Sequence, residues 1–366
     1  MITDIKLLNL KINPFNITPS IGNDLVWAGM SIQKKQIEDV FKKAFLQEGH
    51  QIVLNWGPVG GGKTFAAYYF FSKHPIPFAD GECLQAYVRT PKEGAKSNIN
   101  LIRSIIDAFT LTEIRKIVKE AKTLLGIEPL RTIINTKIKS EEFTSAILKL
   151  ADEDIISINT MTSMIYGTAT SAELKKINLY RPLKEDNDYI KFLSGIITCM
   201  TISSTKPKRV FIWIDEMEDL VYYASKQFKQ FSQAIRDLVD TINEKFTLIL
   251  NFTLSEGEDE TVKMLLGEAL WSRIDSNIRF KDLQVSDGLQ YSKDLLLNFQ
   301  LEEKENKYQP FSEEVLEIVV RSLPSALITP REINKKLNKI LYFAMSNDKL
   351  NVDKEVLIDF EKTILD

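Results

Sequence analysis

Apolar positions along the chain fall into two periods. Largely apolar runs, QIVLNW (51–56), VFIWI (210–214) and KFTLILNFT (245–253), the last ending in polar residues, predict short buried strands. ECLQAYVRT (82–90) and NIRFKDL (277–283) are shorter strand candidates. Between them the apolar residues move to helical spacing. Ile32, Ile37, Val40, Phe41 and Phe45 form one stripe, and Phe228, Phe231, Ile235, Leu238 and Ile242 form another. KTFAAYYFFSK (63–73) reads as a buried helix, and EDETVKMLLGEALWSRI (258–274) as one helix closing on Ser272 and Arg273. From about 93 to 205 the pattern is mostly helical, and beyond about 284 it is wholly helical. Strands alternating with helices predict an α/β fold around a parallel sheet. The expected organisation is an arm at 1–28, an α/β core at 29–283 carrying a helical insertion at about 93–205, and a helical part at 284–366.

Composition narrows the chemistry more than the fold. The 366 residues carry a formal charge of −3, so any nucleic-acid binding must come from a local cluster of cations. Two such clusters stand out: Arg115, Lys119 and Lys122 on one helix face, and Lys206, Lys208 and Arg209 before a strand. Two cysteines and two histidines exclude a zinc cluster and predict buried free thiols in a reducing compartment. No apolar run reaches the roughly 18 residues of a membrane span, and the first residues lack a signal-peptide core. The expectation is a cytoplasmic protein with no membrane association.

One segment carries specific chemistry. Gly57, Pro58, Val59, Gly60, Gly61, Gly62, Lys63 and Thr64 fill G-x-x-x-x-G-K-[ST] completely, between a predicted strand and a predicted helix. Glycines let consecutive backbone N–H groups turn inward around a phosphate, and the following helix points its positive end at the same anion. Lys63 would reach the β- and γ-phosphates of ATP, and the Thr64 hydroxyl would help hold Mg²⁺. A second site must complete the metal shell and handle water. The strand ending at Asp215 and Glu216 supplies it: Asp215 for Mg²⁺, Glu216 for polarising the attacking water. Glu218 and Asp219 read as a solvated first turn of helix. Thr329, Pro330 and Glu332 predict a helix start with a capping box, which places Arg331 in its first turn. An arginine there gains nothing from the helix dipole, so it points to an anionic partner.

Taken together these motifs resemble the AAA+ P-loop ATPases, most closely the initiator-like branch of origin-recognition and Cdc6-type proteins. Weaker similarity extends to ATPases of transposition and of bacterial anti-phage defence. The resemblance runs from about residue 27 to 345 and implies a parallel sheet with a C-terminal helical lid. It implies a sensor residue at the end of LILNFT, either Asn251 or Thr253. It implies Arg273 as an arginine finger acting on a neighbouring subunit's ATP, and Arg331 as a lid residue contacting the γ-phosphate. Val26 and Trp27 would lie beside the adenine. Three positions depart from the family pattern: Met30, where arginine is frequent, and Arg89 and Thr90, where initiators often carry an asparagine restraining the catalytic glutamate. The chain also ends soon after the lid, where a winged-helix DNA-binding domain would follow in initiators.

The function these features imply is a Mg-ATP-dependent ATPase that oligomerises through shared ATP sites and remodels or regulates a nucleoprotein complex. Its expected partners are further copies of itself, a protein in a larger assembly, and DNA or RNA. A nucleotide switch serving as scaffold in a defence or signalling complex is the alternative.

Overall fold

The computed structural model describes residues 4–20, 22, 25–72, 82–202, 208–254 and 259–365. Five strands form one sheet: β1 (Gln51–Gly57), β2 (Glu82–Arg89), β3 (Lys208–Asp215), β4 (Phe246–Thr253) and β5 (Ser276–Arg279). Their order is β2-β3-β4-β1-β5, and every pairing is parallel. A parallel sheet needs cover on both faces, which is why β1, β3 and β4 read as largely apolar runs without strict alternation.

Alternation along these strands decides what each face can do. Val53, Phe211, Trp213 and Ile249 pack on α1 (Ser31–Leu46) and α2 (Lys63–Ser72) through Phe41, Ala66, Ala67 and Phe70. Ile52, Leu54, Ile212, Ile214 and Leu250 belong to a second, larger cluster on the opposite face. By the same period of two, Asn55, Asp215, Asn251 and Thr253 fall on the α1–α2 side. The carboxylate ending β3 is therefore turned towards the helix that follows the glycine loop.

The opposite face carries the insertion. Its helices are α3 (Ser97–Phe109), α4 (Leu111–Leu125), α5 (Ile127–Ile138), α6 (Glu141–Lys149), α7 (Ile155–Ile165), α8 (Ser171–Lys176) and α9 (Asp186–Thr201). They share one continuous core with the sheet and with α10 (Ser225–Ile242). The helix expected over 258–274 is two: α11 (Asp259–Leu266) and α12 (Glu268–Trp271). Gly267 breaks it, with φ at +72°, a conformation that interrupts helical hydrogen bonding.

A separate apolar cluster holds α13 (Val285–Phe299), α14 (Glu313–Arg321), α15 (Pro330–Ser346) and α16 (Lys354–Leu365). Leu8, Leu10 and Phe15 are buried in the same cluster. Leu10 bridges to Gln300, Lys11 N–H donates to Phe299 O (2.8 Å), and Asn9 Nδ2 donates to Glu302 O (2.8 Å). The N-terminal segment thus packs as part of the helical lid, before the chain crosses to the sheet at 25–30.

Candidate functional site

The loop between β1 and α2 wraps closely on its neighbours. Gly57 has φ +153°, and a Cβ there would meet Phe280 O at 1.9 Å. A Cβ on Gly60, at φ +77°, would meet Cβ of Arg331 at 2.6 Å. The first position holds the loop against the chain leaving β5; the second lets the lid touch the loop. Lys63 is 5% exposed. Its ammonium donates to Gly57 O (2.7 Å) and Pro58 O (2.8 Å), so it is already turned into the cradle its own loop forms. Burial pulls its pKa down to about 8; Glu218 and then Asp215 oppose the shift, and Arg331 adds to it.

Asp215 is held from every side. Its Oδ2 accepts from the Thr64 hydroxyl (2.7 Å) and from Tyr87 OH (2.7 Å), and its Oδ1 accepts from Glu216 N–H (2.9 Å). Its carbonyl accepts from both the N–H and the hydroxyl of Thr90, each at 2.9 Å. Burial and the neighbouring Asp215 charge push the Tyr87 phenol far up, which keeps it protonated and donating. Two oxygen donors, a hydroxyl and a carboxylate, suit Mg²⁺, which usually takes only one or two protein ligands and completes its shell with phosphate and water. Among the described residues no group of three or more His, Cys, Asp or Glu could hold a metal by itself.

Glu216 sits just beyond, with φ +58°, in the left-handed region that side-chain-bearing residues enter mainly at turns and caps such as this one. This bend turns it to Arg89, whose Nε is 3.6 Å from Glu216 Oε1. Burial raises the Glu216 pKa, the Arg89 charge opposes that, and Asp215 reinforces it. Arg89 thus lies beside Glu216, while Thr90 fastens the backbone of Asp215.

These groups open into a cavity of about 400 Å³, a size that suits a small-molecule site. Lys63, Thr64, Asp215, Glu216 and Thr253 line one end; Val26, Trp27 and Arg331 line other parts of the wall. Trp27 packs against Phe65, Tyr69 and Phe70 with ring centroids 5.2–5.8 Å apart. Arg331 enters because Thr329 caps α15, its hydroxyl accepting from Glu332 N–H at 3.3 Å. The expected return half of the capping box is missing, since the Glu332 carboxylate pairs with Lys335 instead (2.6 Å).

The two sensor candidates separate. Asn251 is fully buried and accepts from Asn55 Nδ2 (3.1 Å) inside the sheet, whereas Thr253 reaches the cavity. Arg273 lies outside the cavity, bound to both carboxylate oxygens of Asp240 at 3.1 and 3.2 Å. Sequence reading missed Tyr87, whose only signal is its place two residues before Arg89 on the strand beside β3. It also misplaced Glu218: its side chain lines the cavity and accepts from Thr253 N–H (2.9 Å) rather than facing solvent.

The expected nucleic-acid clusters are engaged elsewhere. Arg115 donates to Leu150 O (3.2 Å) and Asp152 O (2.8 Å), Lys119 pairs with Glu153, and Lys122 with Asp152 (3.7 Å). Arg209 is 2% exposed and bonds to the carbonyls of Ala44 and Gln47. Lys206 lies outside the described residues.

No protein-family model matches the chain, and no curated protein matches it in sequence. Solved structures do match in fold. The Aeropyrum pernix ORC1 protein in complex with DNA superposes with a TM-score of 0.53 at 10% identity, over 97% of this chain and 70% of that one. Drosophila ORC bound to DNA gives 0.52 at 9% identity, over 99% and 66%. The Aeropyrum pernix ORC2 protein, in ADPNP–ADP complexes, gives 0.51 at 9% identity, over 90% and 65%. The chain therefore spans about two thirds of the length of the chains it matches. It shares the fold of these ORC proteins, a parallel α/β sheet followed by a helical part.

Proposed function

We propose that this chain is a Mg-ATP-dependent AAA+ ATPase that assembles through ATP sites shared between subunits and acts on a nucleoprotein complex. The observation that carries the reading is the convergence, in one cavity, of a buried P-loop lysine, the Thr64–Asp215 pair at 2.7 Å and the Arg331 helix start. In this reading Lys63 binds the β- and γ-phosphates, and Arg331 approaches them from the lid. Thr64 and Asp215 hold Mg²⁺, which when bound neutralises phosphate charge. Glu216 orients a water and accepts its proton, helped by a pKa already raised by burial. Thr253, not the sheet-buried Asn251, senses the γ-phosphate, and Trp27 with Val26 flanks the base.

Arg273 supports the shared site, because an arginine outside its own cavity is free to serve a neighbour's once Asp240 releases it. Arginines of this kind contribute on the order of 10³–10⁵ in rate. Arg273→Ala and Lys63→Ala proteins should each be inactive alone, and mixing them should restore ATP hydrolysis at the mixed interfaces. No recovery in mixed oligomers confirmed by mass would sink the shared site. The similarity to proteins solved with DNA supports a nucleic-acid partner.

A second reading is favoured by one contact. The Arg89–Glu216 ion pair holds the catalytic carboxylate, which suits a slow nucleotide switch whose ATP form is a scaffold in a defence or signalling complex. Turnover stimulated by DNA favours the first reading; slow turnover with ATP-dependent capture of a protein partner favours the second.

A further inference from the structure

Among the described residues three acids line the cavity, and only two have a role in the reading above. Glu218 is the third. The left-handed turn at Glu216 and the short 3-10 helix that follows it (Met217–Tyr222) separate the two glutamates. Glu216 turns to Arg89, and Glu218 lines the cavity. There its Oε2 takes the N–H of Thr253 at the end of β4 (2.9 Å), on a cavity wall that it shares with Lys63. One carboxylate thus occupies the donor at the end of β4 in the cavity that the P-loop ammonium also lines, the two groups that a terminal phosphate would need.

We propose that Glu218 is an internal stand-in for the terminal phosphate, keeping the anion position between Lys63 and Thr253 until a nucleoside triphosphate displaces it. This rests on the reading of the cavity as an ATP site. The physical reason is like-charge exclusion. A γ-phosphate near Lys63 and Thr253 brings further negative charge to a pocket already holding Asp215 and Glu216, in a medium where charges are poorly screened. Asp215 is tied by the Thr64 and Tyr87 hydroxyls and by Glu216 N–H, and Glu216 by Arg89; Glu218 has one hydrogen bond to give up. A diphosphate ends one phosphate short and leaves it in place.

The consequence is nucleotide discrimination with a mechanical output. Displacing Glu218 shifts the segment Met217–Tyr222, on which Val221 and Tyr222 are 52% and 81% exposed. The difference between ATP and ADP is thereby carried to a surface apolar pair.

Glu218→Gln tests this, because glutamine keeps an oxygen for Thr253 N–H and removes only the charge. Calorimetry would measure Kd for Mg-ADP and for a non-hydrolysable Mg-ATP analogue in the wild type and in the variant. The analogue should bind about tenfold tighter to the variant, while ADP affinity stays within about twofold, as expected for losing one nearby like charge. Equal changes for both nucleotides, no change, or weaker analogue binding would overturn the proposal. A wild type that binds neither nucleotide would overturn the ATP-site reading itself, and the proposal with it. An unchanged melting temperature would separate the charge effect from misfolding.

Discussion

At the glycine-loop end of the cavity, the groups proposed to bind phosphate and metal lie within eight consecutive residues, Gly57 to Thr64, and at the end of one neighbouring strand. At the helical lid, contacts join positions more than 300 apart: Asn334 Nδ2 donates to Asn16 O (2.7 Å), both lining the cavity, and Asn13 Nδ2 donates to Asn338 Oδ1 (2.6 Å) behind them. Tyr291 OH completes this tie by donating to Asn334 Oδ1 (3.1 Å). The first end is built by local backbone geometry and needs only a strand, a turn and a helix. The second exists only after the N-terminal segment has docked on the helical lid. Binding energy and lid position are therefore encoded in separate parts of the chain, and mutations should separate them.

Lys63→Ala should show the largest effect. It removes the only cationic side chain in the loop and should weaken nucleotide binding on the order of 10²–10³-fold, measured by calorimetry, while leaving the lid folded. A loss below about threefold would mean that the loop is not where phosphate binds.

The pH dependence is smaller and has a definite sign. Lys63 titrates near 8 instead of 10.5 because it is buried, and only its ammonium form attracts phosphate. Affinity should be flat below pH 8 and fall by up to about tenfold per unit as pH rises above it. The same shift acts oppositely on the free protein. Between 8 and 10.5 the unfolded chain keeps a proton that the folded one has lost, so the Lys63 contribution to stability rises with pH there. Affinity constant to pH 9.5 would contradict the buried ammonium.

Asn334→Leu probes the other end and should act in the reverse order, on stability first. It leaves Tyr291 OH and Asn16 O without their partner, a cost of about 2–4 kcal/mol, and should lower the melting temperature by about 3–8 °C. Nucleotide affinity should drop less than with Lys63→Ala. An unchanged melting temperature would separate the N-terminal segment from the lid.

The same contrast explains what could be read from the sequence. The P-loop, the buried strands and the Asp215–Glu216 strand end were legible because each depends on neighbours in sequence. The Thr329 cap was legible for the same reason, and it put Arg331 in the first turn of α15; that this turn lies beside Gly60 was not legible. The docking of residues 9–16 was not, because asparagines and scattered apolar residues have no period and their partners lie at the far end of the chain. The ion pairs of the basic face of α4 were not legible for a related reason: its counter-charges, Asp152 and Glu153, come from a loop about thirty residues on. Glu218 looked solvated because nothing in its own segment announces that the end of β4 arrives beside it.

The central claim is that this cavity hydrolyses ATP with Glu216 as the carboxylate that acts on water. Its most direct test compares Glu216→Gln with the wild type in two assays, binding of Mg-ATP and steady-state release of phosphate. The account predicts that binding stays within a few-fold while turnover falls by about 10²–10⁴, the usual worth of a positioned general base. Turnover at the wild-type rate in the glutamine variant would contradict it.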